Sequence, residues 1–110
     1  MAAIDVDDIA RQMMDAAKAV LGERWPGVKI FVESESRKFA QSMADIAVWR
    51  STGEITEEQA EVLSRLHQRS MKMVLTSLEG ISLAMAEKAF NAAIAVVRTV
   101  VNSAIGRNIL

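Results

Sequence analysis

The sequence predicts an all-α protein, built as a long antiparallel hairpin of its second and third helices with a short N-terminal helix beside them. Three observations predict it. Hydrophobic residues make up 51% of the 110-residue chain, yet only 5% are aromatic and 5 are Gly, the composition of Ala-, Val-, Leu-, Ile- and Met-rich helices. Through 57–105 apolar residues recur at three- and four-residue steps, as Val62, Leu66, Met73, Leu83, Phe90, Ile94, Val97 and Val101. Leu63, Val74, Ile81 and Ala84 form the adjoining row, and no proline interrupts it. Finally, start and stop residues bracket the segments: Asp5 and Thr56 before apolar runs, Gly22 and Gly53 after them.

The first helix spans about 5–21. Asp5 caps it, and Asp7 and Asp8 lie in the opening turn, where the helix dipole favours negative charge. Ile9, Met13, Ala16 and Val20 make its stripe, widened by Ala10, Met14, Ala17 and Leu21. Gly22 ends it, and with Pro26-Gly27 marks 22–27 as a connector that either reverses the chain or kinks it.

The second helix is expected over about 28–52. Val28-Lys29-Ile30-Phe31-Val32 is β-branched enough for a strand but has none to pair with. Its inner series runs Val28, Val32, Glu35, Phe39, Ser42, Ile46, Trp49, in alternating steps of four and three. Gly53-Glu54-Ile55 then turns the chain, and Thr56-Glu57-Glu58-Gln59 has the form of a capping box. The third helix, over about 57–105, is read as one very long helix or two nearly collinear ones. At ~1.5 Å per residue it would reach on the order of 70 Å, outrunning its hairpin partner.

That surplus predicts self-association. From 89 to 106 the sole charge is Arg98, and a single 110-residue domain has limited capacity to bury so apolar a helix. Phe90, Ile94, Val97 and Val101 are therefore the expected subunit contact, or else the docking site for the first helix. A membrane span is not predicted, because Asn91, Arg98, Thr99, Asn102 and Ser103 are costly in lipid and no basic or aromatic flank frames the segment.

Charge and cysteine content narrow the functional classes. Lys plus Arg (13) and Asp plus Glu (14) nearly balance, so no global field draws the chain to nucleic acid. Arg65, Arg69 and Lys72, with Arg37 and Lys38 facing them, form a belt that Glu33, Glu35, Glu61 and Glu79 surround, the pattern of a solvated, salt-bridged face. With 0 Cys there is no disulfide framework or thiolate site, and the acidic start lacks the order of a secretion signal. The expected location is the cytoplasm. Met13, Met14, Met43, Met71, Met73 and Met85 read as core filler.

Glu35 stands out because it falls on the inner stripe. One role is a salt bridge to Arg69 or Lys72 across the hairpin, which is the reading taken. The other is a carboxylate ligand, completed between subunits by His67 and Glu87, for iron or another divalent metal. Ferritin-like di-iron bundles use Glu-x-x-His; here His67 is preceded at that spacing by Ser64. Trp25-Pro26-Gly27 resembles the Trp-x-Gly tripeptide of small secreted helical-hairpin proteins. In that family it lies in the turn between two long helices, and the C-terminal aromatic-x-x-x-acid signal that accompanies it is missing here. No nucleophilic triad or phosphate-binding loop can be assembled. Two functions follow: a non-enzymatic assembly protein acting through homo-oligomerisation without a cofactor, or a carboxylate-bridged metal protein.

Overall fold

A computed structural model describes residues 4–110; the first three residues of the acidic start lie outside the described residues. The described chain is all helical, with α1 Val6–Leu21, a 3-10 turn Gly22–Arg24, α2 Trp25–Thr52, α3 Glu57–Thr76 and α4 Leu83–Ile105.

Local chemistry sets each boundary. Asp5 accepts the Asp8 backbone N–H at 3.1 Å and starts α1, and Gly22, at φ 53°, ends it by donating to the Lys18 carbonyl. α2 begins at Trp25, three residues before the expected start, because a proline in a first helical turn has no N–H that the helix needs. Trp25-Pro26-Gly27 is thus helical, just past a reversal. Asp7 Oδ1 lies 3.2 Å from Arg37 Nη1, so the start of α1 meets the middle of α2. Gly53, at φ 77°, ends α2. The capping box then forms: Gln59 N–H donates to Thr56 Oγ1 at 3.1 Å, and Thr56 N–H to Gln59 Oε1 at 2.8 Å.

The continuous 57–105 element does not form. α3 stops at Thr76, and 77–82 redirects the chain with Gly80 at φ 87° and Ser82 capping α4 through the Met85 N–H at 3.1 Å. The Thr76 and Ser77 hydroxyls donate back to the carbonyls of Lys72 and Met73 at 2.9 and 2.6 Å, the local competition by which Ser and Thr weaken a helix end. Nor are α3 and α4 collinear. Arg107, just beyond α4, pairs with Glu57 and Glu61 at the start of α3, at 2.8 and 3.0 Å. The molecule measures 43 × 22 × 19 Å, far short of the length one rod would need.

The four helices close into a bundle in which α1 packs on α2 and α4, and α3 on α2 and α4. The core face of α1 is Ile9, Ala10, Met13, Ala17 and Leu21. On α2 the buried row follows the expected series to Phe39 and then passes through Met43 and Ile46, leaving Ser42 half-buried and Trp49 exposed. A straight helix of 3.6 residues per turn drifts by ~20° per heptad from a strict seven-residue series, enough to move the buried row from Ser42 to Met43. Ala86, Ala89, Phe90, Ala93, Ile94, Val97, Val101, Ala104 and Ile105 supply the face of α4. No described helix is long and apolar enough to cross a membrane.

Candidate functional site

Two places combine unusual chemistry with access to solvent: the surroundings of Glu35, and the outer face of α3. Glu35 is 8% exposed on the inner side of α2, as its place in the apolar series requires. Its Oε2 lies 3.5 Å from Lys38 Nζ, one turn along the same helix. The partner is therefore not Arg69 or Lys72, both of which lie exposed and, among the described residues, outside any ion pair. α3 turns His67, Ser70 and Met71 toward Glu35 instead, and these close a cleft of about 20 Å³ with Lys38, Phe39 and Ser42. That volume holds roughly one water molecule.

The cleft brings Glu35 and His67 together. Glu87 is not part of it and lies exposed on α4. Among the described residues no group of three or more His, Asp or Glu side chains is placed to hold a metal ion. What lines the cleft is a carboxylate, a neighbouring ammonium group and an imidazole, an arrangement that supports hydrogen bonding. The basic belt is dispersed in the same way. Arg37 contacts Asp7 and Glu33, and Arg65 contacts Glu61, all near the surface.

Of the two roles expected for Phe90, Ile94, Val97 and Val101, the packing of α4 on α1 accords with docking of the first helix. Phe90, Ile94, Val97 and Val101 are all buried within the core of the single chain, where the helix pairs α1–α4 and α3–α4 meet. The break at 77–82 lets α4 fold back, so that these four residues find cover within the chain.

The outer face of α3 is the opposite case. Its core face is built from Ala60, Ser64, Met71 and Leu75, small near the start so that the helix sits close to its neighbours. Val62, Leu66 and Met73, expected on the inner row, point to solvent and are 55%, 58% and 68% exposed. Leu83, from the same expected row, is 61% exposed at the start of α4. Helix α3 carries two rows, 60/64/71/75, apolar but for Ser64, and the apolar 62/66/73, about 200° apart at 100° per residue, and periodicity alone does not say which is buried. A shallow, almost wholly apolar hollow of about 360 Å³ lies at the head of the outer row, lined by Ile55, Glu58, Gln59, Val62 and Leu63. Ile55, in the turn before α3, closes the hollow at its N-terminal end.

Ser36 was not singled out from the sequence. Its hydroxyl is buried on α2 beside Glu35 in the chain and has no hydrogen-bond partner among the described residues. Gln68 and Asn102 were also missed as structural residues. Gln68 Nε2 donates to the Ile109 carbonyl at 3.1 Å, and Asn102 Oδ1 accepts from the N–H groups of Ile109 and Leu110, each at 3.0 Å. Comparisons with protein-family models, with curated proteins and with solved structures give no match to this chain.

Proposed function

We propose that this chain is a non-enzymatic assembly module, a folded four-helix bundle whose activity is association with further copies of itself. The observation that carries this reading is the outward apolar row Val62, Leu66 and Met73, with its adjoining hollow, on a protein whose core is already filled. Large apolar side chains scattered singly are ordinary on a surface; several on one helix face beside a concave apolar hollow are the mark of an interaction site. The carboxylate-bridged alternative has less to support it, since among the described residues no group of three or more His, Asp or Glu side chains is placed to hold a metal ion. Light scattering across a concentration series tests the proposal. The expected result is a mass that rises with concentration to at least twice the 12.0 kDa of one chain. A constant monomer mass up to millimolar concentration would sink it.

A further inference from the structure

We infer that the occupant of the α3 face is the α3 helix of a second copy, packed antiparallel about a twofold axis near Arg65; this rests on the self-association proposed above. A twofold contact uses the same patch on both chains, so the patch must complement itself. The α3 face does so in two independent ways.

The first is shape. Its concave part, lined by Ile55, Glu58, Gln59, Val62 and Leu63, lies at the head of the helix, and its most protruding apolar side chain, Met73, lies near the tail. When two copies run antiparallel with facing residue numbers summing to about 130, Met73 of each copy comes over the hollow of the other. Leu66 then meets its counterpart near the axis, and Val62 of each copy lies beside Leu66 of the other. The unbranched thioether of methionine adapts readily to such a hollow.

The second is charge. Along the flank of this face Glu58 comes first and Arg65, Arg69 and Lys72 follow. Among the described residues Glu58, Arg69 and Lys72 make no ion pair within the chain, whereas Arg65 is 3.5 Å from Glu61. In an antiparallel pair the same flank meets itself, so Glu58 faces Lys72 of the second copy, again at a sum of 130. Arg65 falls beside its own counterpart, each already neutralised by Glu61. A parallel pair would instead set this flank against the opposite flank of the second copy, which carries the uncharged Gln59, Leu63 and Ser70, and Glu58 and Lys72 would find no partner there. The antiparallel arrangement also opposes the two helix dipoles.

Sedimentation equilibrium and cysteine crosslinking test the arrangement, using the absence of cysteine in the chain. Met73→Glu should raise the dimer dissociation constant at least tenfold while leaving the circular dichroism melt unchanged, because the residue is exposed. Glu58→Lys should weaken association, and Glu58→Lys combined with Lys72→Glu should restore it. On mild oxidation Leu66→Cys, beside the axis, should form a disulfide dimer. Met73→Cys alone should not, since its two copies lie ~20 Å apart at 1.5 Å rise per residue, well beyond disulfide reach. An oligomer indifferent to Met73→Glu and Glu58→Lys, or one in which Met73→Cys crosslinks as well as Leu66→Cys, would overturn the α3 pairing and leave self-association standing. A wild-type monomer would remove both, leaving the face to a different protein.

Discussion

Arg107 and Glu57 are 50 positions apart in sequence and 2.8 Å apart in space. Glu57 also lies 3.6 Å from Arg50 at the end of α2, so one carboxylate in the first turn of α3 gathers the end of α2 and the segment after α4. Beyond Arg107 the chain continues inward. Ile109 is buried, and its carbonyl accepts from Ser64 Oγ at 3.4 Å and Gln68 Nε2 at 3.1 Å on α3.

Asn102 fixes this return. Asn102→Ala would leave the N–H groups of Ile109 and Leu110 unpaired in a half-buried setting, at a cost of about 1–3 kcal/mol. For a domain of this size each kcal/mol lowers the melting temperature by roughly 4–8 °C. Asn102→Asp retains the acceptor and should lose less. Calorimetry decides it: equal melting temperatures for Asn102→Ala and the wild type would show that the carboxamide does not hold the tail.

Two adjacent valines on α4 give an internal control. Val97 is 0% exposed and Val96 45%. Val97→Asp buries an unpaired charge and should unfold the protein, at several kcal/mol. Val96→Asp should stay within about 0.5 kcal/mol of wild type. Urea denaturation of the pair tests the rotational setting of α4, and similar midpoints would mean that the setting is wrong.

Glu35 gains little from Lys38, whose side chain is 67% exposed and screened by water. Glu35→Gln should keep the fold. Glu35→Leu should change stability by less than about 1 kcal/mol or increase it, because a buried ion pair often does no better than an apolar residue of similar volume. A loss of 3 kcal/mol or more in Glu35→Leu would reveal a polar role for the cleft that its contacts do not account for.

Ser36→Ala removes a buried hydroxyl that has no partner among the described residues. The substitution should stabilise by about 1 kcal/mol, from relief of the desolvated oxygen and from the better helix propensity of alanine. A decrease in the denaturation midpoint would indicate that the hydroxyl is satisfied in solution.

Much of α1 and α2 was legible in the sequence because their signals are local. Asp5, Gly22 and Gly53 act through their own backbone neighbours, and the capping box from Thr56 to Gln59 needs no tertiary information. Glu35 was legible as an inward residue for the same reason, although its partner was not: which residue of α3 faces it depends on the rotation of that helix. The break after Thr76 was weakly signalled by Ser77, Gly80 and Ser82, and the missing proline gave a false impression of continuity. The outer row of α3 was misread as core because a two-faced helix satisfies the same periodicity twice. Once the break is absent from the reading, the end of the long helix outruns its hairpin partner and its apolar residues have two expected covers, a second subunit or the first helix; in the fold α1 lies against α4.

The six residues of 77–82 have a consequence beyond shape. They are the hinge on which the ownership of α4 depends. With Gly80 in the left-handed region, α4 returns to its own α1; a straight 77–82 would carry α4 away from the other three helices and present it to a neighbour, whose α4 would fill the vacated place. The helix–helix contacts would survive that exchange, because each bundle would still contain one of each helix, whereas Leu78 and Ile81 would leave the core they pack against. Gly80→Ala together with Ser82→Ala lowers the helical penalty at both points and so favours the exchanged form, an interlocked dimer that dilution separates only by unfolding.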